Sequence, residues 1–547
     1  MQTVDYVVVG GGSAGCVIAS RLVQAGASVC VLEAGPVDRN PFIHMPAGFV
    51  KTLFNPAITW QFEAEPSEWT GGRRVSTTQG RTLGGSSSIN GMVFVRGQAD
   101  DYNVWAQRGN RGWGYADVLP YFRRIERRIS DTADEAYRGR DGSLPVTDID
   151  WTHPLCEAFI AGAEALGFPR NPDYNGATQA GVGYYQRVIH RARRVSAARA
   201  YLHPLMKSAA LSVVTSAQAV AILFDGRRAV GVSYRREGNT ALLRVTARKE
   251  VIVAAGAVNS PKLLQLSGIG DPTLLHDHGI AVLHALSGVG ENLGDHYSPR
   301  IVARAKNTET INNMVTGTRL AGQLLRWAAR KPSVLGLSAA IVYAFGKSDP
   351  ALEQPDYTII FTPASYREGK LGSLDSYPGM TCGAWQMRPE STGHVRIKSA
   401  EPAEPPVIQP NYLAAEKDRQ VLLSAIRKGR DILASPQLAP YYDSEQMPGA
   451  SKTSDAELLD FARNYGSSTY HLCGTCRMGP EQDRSAVVDD QLRVHGIEGL
   501  RVADSSIMPA VVSANTYATT LMIGERASDL ILGRAALARD EAARRSA

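Results

Sequence analysis

Residues 4–35, VDYVVVGGGSAGCVIASRLVQAGASVCVLEAG, constrain this chain more tightly than any other stretch. Residues 4–9 form a short β-branched apolar run of the buried-strand type. Gly10, Gly12 and Gly15 then fill a G-x-G-x-x-G spacing. Residues 14–24 read as a helix with Ser13 near its N-terminus, and residues 27–32 as a second strand that ends at Glu33. In such a unit the first glycine permits a tight turn. The second lets a pyrophosphate approach the backbone, and the third allows close helix–strand packing. The helix N-terminus, around Ser13 and Ala14, offers free N–H groups to phosphate. Glu33 lies 18 residues after Gly15, where a carboxylate accepts hydrogen bonds from ribose hydroxyls and repels a 2′-phosphate. Strand, helix, second strand and acid fall in register, which points to dinucleotide binding. The motif alone does not separate FAD from NAD.

The rest of the chain narrows the class. A length of 547 residues with 44% hydrophobic and 20% charged residues suits a soluble globular protein of several cores. The net charge of +6 is mild at this length. No run of five or six basic residues occurs, which argues against nucleic acid as a partner. The densest basic patches, residues 191–194 and 539–545, read as solvated surface. The first strand begins too early to leave room for a secretory signal, and no segment approaches 18 uninterrupted apolar residues. Six cysteines are too few for a disulfide framework. The expectation is a cytoplasmic protein with no membrane span. Cys473 and Cys476 form a lone C-x-x-C after His471, read as packing rather than metal or dithiol chemistry. Cys16 and Cys30 read as buried small apolar residues.

Residues 80–97, GRTLGGSSSINGMVFVRG, are too rich in glycine and serine for a long regular element. They offer many backbone N–H groups to a planar or phosphorylated ligand, while residues 92–95 should be buried. Helices are predicted at 115–126, 154–166, 195–205, 418–434 and 518–533, and residues 129–150 read as loop. Strands are predicted at 211–215, 219–224, 229–235, 242–247, 250–255 and 499–503. Further strands at 339–345, 357–361, 380–387 and 393–398 suggest an antiparallel sheet.

Five stretches together resemble the glucose–methanol–choline (GMC) oxidoreductase family. They are GGGSAG with Glu33, the 80–97 stretch, GAVNSPKLLQLSGIG at 256–270, YHLCGTCRMG around His471, and VADSSIMPAVVSANTYATT around Asn515. The resemblance spans nearly the whole chain. It implies an α/β fold: a Rossmann-like FAD-binding domain built from discontinuous segments, plus a substrate domain with an antiparallel sheet flanked by helices. The segments expected are 1–105, 196–299 and 476–547 for FAD, and 106–195 and 300–475 for substrate. FAD would lie on Gly10, Gly12, Ser13, Ala14, Gly15 and Glu33. Ser86, Asn90, Gly91, Met92 and Val93 would run along the pyrophosphate and flavin. Ala219 would meet the adenine side through its backbone, and Asp504 and Thr516 the ribityl–pyrophosphate and isoalloxazine portions. Some members carry a flavin-linked histidine just before the asparagine of this loop. Ile89 stands there, so the FAD is expected to be non-covalent.

The implied activity is oxidation of a primary alcohol to an aldehyde, with hydride passing to the flavin and reoxidation by oxygen or a quinone-type acceptor. By the same resemblance His471 is the base, a role that suits an unperturbed pKa near 6.5. Asn515 would donate to the alcohol oxygen, and Thr469 and Tyr470 would line the flavin face. A hydroxynitrile lyase using His471 for acid–base work is the alternative. His296 has no readable partner pattern. No aromatic-plus-acid cluster stands near His471 in sequence, which disfavours choline against small or aromatic primary alcohols. Which alcohol is oxidised, and the oligomeric state, carry no signal in the sequence.

Overall fold

The computed structural model describes residues 2–131, 134–239, 241–367 and 372–539. The nucleotide-type unit forms where expected. Strand Gln2–Val9, helix Ser13–Gln24 and strand Val29–Leu32 follow one another, and the strands pair in parallel. The apolar run is buried on both faces, as a central parallel strand requires. These strands sit in a seven-stranded sheet. Its order is Leu211–Val214, Val29–Leu32, Gln2–Val9, Leu243–Val253, Arg228–Arg236, Ala217–Asp225. Leu243–Val253 is a single strand where the sequence suggested two. Its first half pairs antiparallel with Arg228–Arg236, and its last three residues pair in parallel with Leu500–Val502.

A second sheet has six strands. Its order is Tyr442–Met447, Arg300–Ala305, Gly379–Gln386, Tyr357–Thr362, Val342–Gly346, Gly181–Tyr184, antiparallel throughout. Three of these strands, Gly181–Tyr184, Arg300–Ala305 and Tyr442–Met447, were not anticipated. The predicted strand at 393–398 does not join this sheet. His394–Arg396 pairs instead with Val407–Gln409 in a separate hairpin.

The period-two alternation of strands divides the second sheet's two faces. Ile301, Ala303, Ala305, Met380, Cys382, Ala384, Ile359 and Phe361 join one core cluster with Val421, Leu422, Ala425 and Ile426 of helix Glu416–Leu433. Arg300, Ile360, Thr362, Thr381 and Trp385 alternate with them and line a cavity.

Two other readings need correction. Residues 129–150 are not simply loop, because Leu144–Thr147 pairs in parallel with Glu126–Ile129. Within it Arg138 is 1% exposed, while Asp131, Asp134, Glu135, Asp141, Asp148 and Asp150 stay at the surface. Glu126 is fully buried and ion-paired to Arg96 and Arg138. The patch at 191–194 is likewise not all surface. Arg194 is 1% exposed, donating Nε to the Ile43 carbonyl at 2.8 Å and Nη1 to Asn90 Oδ1 at 2.7 Å. Arg539 is exposed and paired with Asp117, while residues 540–547 lie outside the described residues. No helix among the described residues is long and apolar enough to cross a membrane.

The C-terminal helix Thr516–Ile531 packs on helix Ser13–Gln24 so closely that a Cβ on Gly524 would meet Val17 Cβ at 3.0 Å. The buried Glu525 carboxylate receives Arg21 and Arg124, each at 2.8 Å. Removing one partner of such a pair typically costs about 3–5 kcal/mol. This tether sets the start of the last helix, and with it Asn515, beside the glycine turn of the first.

Candidate active site

The glycine turn is built by close approach. Gly10 has φ +103°, and a Cβ on Gly15 would lie 2.0 Å from the Gly10 carbonyl oxygen. Gly15 therefore packs beneath the turn and does not line the cavity. Gly12 is different: a Cβ there would have one neighbour, at 3.9 Å. The space it leaves belongs to a cavity of about 390 Å³ that runs from the first sheet to the second. Gly10, Gly12, Ser13, Ala14, Glu33, Ser86, Asn90, Gly91, Met92, Val93, Ala219, His471, Asp504, Asn515 and Thr516 all line it. The 80–97 loop docks on the turn, with Gly84 N–H donating to the Gly11 carbonyl at 2.7 Å. Residues 92–95 are buried, as expected. Ser86 Oγ is engaged inside its own loop by Gln79 and the Gly80 N–H. Asn90 Oδ1 receives Met92 N–H and Arg194.

The cavity's first-sheet end suits a dinucleotide. The helix Ser13–Gln24 has no side-chain cap at its N-terminus, so its first N–H groups and dipole face open space. Glu33 is buried, and its two oxygens receive only the N–H groups of Gly11 and Gly35, at 2.9 and 2.8 Å. Burial pushes its pKa up to about 7 against those two bonds. Asp504 is held by Gly256 N–H, Ser260 Oγ and Ser506 N–H. A Cβ on Gly256 would touch nothing within 4 Å. Uncapped N–H groups, a ribose-type carboxylate and two glycines bordering open space are what a pyrophosphate-bearing cofactor needs. Ile89 packs with Ile43 and Ile58 and offers no nucleophile.

The other end is built around His471. Asp295 is buried and clamps its backbone. Its carboxylate accepts from His471 N–H at 2.7 Å, His296 N–H at 2.9 Å, Ser468 Oγ at 2.5 Å and Tyr412 OH at 2.6 Å. Burial raises its pKa to about 6. His296 Nε2 lies 2.7 Å from the Met387 carbonyl, which only accepts, so that nitrogen carries a proton. Burial lowers the His296 pKa to about 4, leaving the ring neutral and Nδ1 with a lone pair. His471 Nδ1 sits 2.9 Å from it and 2.8 Å from Thr469 Oγ1. The Thr469 hydroxyl itself donates to the His296 carbonyl. Both neighbours accept, so His471 Nδ1 is the donor and Nε2 keeps its lone pair. Burial, then His296, depress the His471 pKa well below the usual histidine value.

Asn515 Nδ2 stands 2.8 Å from His471 Nε2. Asn515 is the N-cap of helix Thr516–Ile531, yet its side chain makes no capping bond. Asparagine is among the favoured capping residues, and here its amide is turned into the cavity instead. His296 and Asp295 were missed in the sequence because 175 residues separate His296 from His471. No local spacing signals that contact.

All six cysteines are buried and free, and no group of three potential metal ligands occurs among the described residues. Cys473 and Cys476 join the core cluster of the first sheet, and burial raises both thiols.

A glycine turn opening a helix toward one end of a cavity, with a histidine–asparagine pair at the other, fits a dinucleotide-dependent oxidoreductase. The chain belongs to the GMC oxidoreductase family. The family's N-terminal model matches residues 4–298 and its C-terminal model residues 389–524. The chain is 41% identical over 541 residues to an oxygen-dependent choline dehydrogenase of Brucella anthropi, covering 98% of this chain and 97% of the relative. It is 38% identical over 540 residues to the alcohol dehydrogenase [acceptor] of Pseudomonas putida, covering 98% and 96%. Among solved structures it resembles pyridoxine 4-oxidase from Mesorbium loti, with a TM-score of 0.84, 30% identity and 96% and 98% coverage. The protein is an FAD-dependent oxidoreductase acting on CH–OH groups.

Proposed function

We propose that the protein oxidises a primary alcohol to an aldehyde in this cavity, with His471 as base and Asn515 as the donor to the alcohol oxygen. Bound FAD supplies the acceptor for the hydride leaving the carbinol carbon. The carrying observation is the bonding of His471 Nδ1 to two acceptors, which presents Nε2 as a lone pair. A substrate hydroxyl that takes the place of the 2.8 Å contact between Nε2 and Asn515 Nδ2 gives its proton to the first and accepts from the second. As that proton leaves, charge develops on the oxygen, and the amide stabilises it. The depressed pKa keeps His471 unprotonated at neutral pH.

In this reading Gly10, Gly12, Ser13 and Ala14 hold the pyrophosphate, and Glu33 the adenosine ribose. Ala219 flanks the adenine, Ser86 and Asn90 to Val93 follow the pyrophosphate and flavin, and Asp504 and Thr516 complete the ribityl side. Gly15 supports the turn from beneath. Residues 1–105, 196–299 and 476–547 form the FAD portion, and residues 106–195 and 300–475 the substrate portion. The flavin is held without a covalent bond, and oxygen or a quinone-type carrier reoxidises it. The relatives' names, choline dehydrogenase and alcohol dehydrogenase, support oxidation over the lyase alternative.

The test is anaerobic addition of primary alcohols to the yellow holoenzyme. Flavin bleaching supports the reading. H471A should keep FAD and lose reduction rate by roughly 10²–10⁴-fold. Near-normal reduction in H471A would remove the histidine from this role. Acid precipitation should leave the flavin in the supernatant.

A further inference from the structure

The charges lining the cavity are unevenly distributed. Glu33, Asp504 and Lys262 belong to the first-sheet end, and each is already engaged. Glu33 and Asp504 accept the backbone bonds described above, and Lys262 Nζ donates to the Pro402 and Glu404 carbonyls. On the face of the second sheet, Arg300 is the one charged side chain among the described lining residues. It has no ion pair among the described residues. Its Nη1 donates to Ser467 Oγ at 2.5 Å, and the phenols of Tyr366 and Tyr470 flank it. The nearest carboxylate in sequence, Asp295, is not free to answer it. That group does not line the cavity, and both its oxygens are taken by the four donors named above.

A half-buried cation with no carboxylate beside it is costly unless something pairs with it. Burial accordingly depresses the Arg300 pKa. Its backbone position is fixed by two ladders. Ser298 pairs with Ser467, and Arg300 with Gly383. Arg300 is four residues along the chain from His296, which touches His471. At about 3.3 Å per residue this is roughly 13 Å of extended strand.

We propose that Arg300 anchors an anionic group, most simply a carboxylate, carried by the alcohol several bonds from its carbinol carbon. The substrate is then a hydroxy acid whose hydroxymethyl end reaches His471 and Asn515. A guanidinium matches a carboxylate's two oxygens in a planar fork, and it repels a quaternary ammonium at the same place. The inference rests on the alcohol-oxidation reading above.

The experiment compares neutral and charged twins in anaerobic stopped flow on the FAD-loaded enzyme: 1-hexanol against 6-hydroxyhexanoate, benzyl alcohol against 4-(hydroxymethyl)benzoate, and choline. The expected result is tighter apparent binding of each carboxylate than of its neutral twin by about 10-fold or more, weakening as salt rises. R300Q should lower the carboxylate-to-neutral ratio by roughly 10–100-fold, the scale of a lost charge-assisted pair. R300K should retain a preference for the carboxylate. Choline or the neutral twins bound more tightly than the carboxylates by the unmodified enzyme would overturn the proposal, whatever the variants do. So would an R300Q ratio equal to the unmodified one, the result if Arg300 only secures Ser467. If no alcohol of any charge bleaches the flavin, the oxidation reading fails and takes this inference with it. Bleaching without carboxylate preference removes the inference alone.

Discussion

The rings of His296 and His471 meet edge to face, with planes 87° apart, centroids 5.1 Å apart and Nδ1 facing Nδ1 at 2.9 Å. One of those nitrogens must give a proton to the other, and the Met387 carbonyl decides which. It holds the proton of His296 on Nε2, so His471 is the giver on this side and a lone pair remains on its far nitrogen.

That relationship predicts a pH effect. His296 acts through His471, without lining the cavity, and so is a positioning residue. H296A removes an acceptor from His471 Nδ1 and also opens space for water beside a ring whose pKa is held down first by burial. The rate of flavin reduction should fall by roughly 10–100-fold. Its acid limb should move to higher pH, because His471 then gains a proton at a higher pH than before. H296N should shift the limb less than H296A if its amide restores an acceptor. An unmoved acid limb in H296A, measured across pH 4–8 by stopped flow, would limit His296 to packing.

Glu33 gives a second pH effect, this time on stability. Its folded pKa, about 7, lies above the ordinary 4.5. The folded protein therefore holds a proton that the unfolded chain has released between those values. Stability from this group is present below about 4.5 and is lost as pH rises toward 7. The buried histidines have the opposite sign, so the isolated effect is a difference. In FAD-free protein, the melting temperature of wild type minus that of E33Q should fall from pH 4.5 to pH 7 and then level off. A flat difference would show Glu33 ionised in the fold throughout.

The two glycines of the turn should fail in different ways. A Cβ at position 15 drives into the Gly10 carbonyl at 2.0 Å, so G15A should destabilise the whole fold by about 1–3 kcal/mol. Position 12 has room. Its φ of −81° suits any residue, so G12V should fold with near-normal melting and fail to retain FAD. Denaturation curves and the 450 nm absorbance of purified protein separate the two. Flavin retained in G12V would place the pyrophosphate elsewhere.

What the sequence disclosed was what close neighbours control. Gly10, Gly12 and Gly15 act within one turn, so their spacing carries the geometry. The strands at 4–9 and 357–361 announce themselves through apolar runs. Arg194 read as surface because charge usually means water, and Glu126 read only as the end of a helix. Each is buried by partners distant in the chain, Arg194 by Ile43 and Asn90, Glu126 by Arg96 among others. The strands Gly181–Tyr184 and Tyr442–Met447 are sheet members only because Val342–Gly346 and Arg300–Ala305 present edges to them. Asn515 was found by family pattern, but its forfeited capping bond is visible only in three dimensions.

The split faces of the second sheet bear on how such an enzyme can diverge. Along Arg300–Ala305, Ile301, Ala303 and Ala305 hold the scaffold together, while Arg300 lines the cavity. A single exchange at position 300 leaves the helix-packed side untouched. Appetite for a new alcohol can thus evolve one residue at a time, with the architecture as a silent bystander.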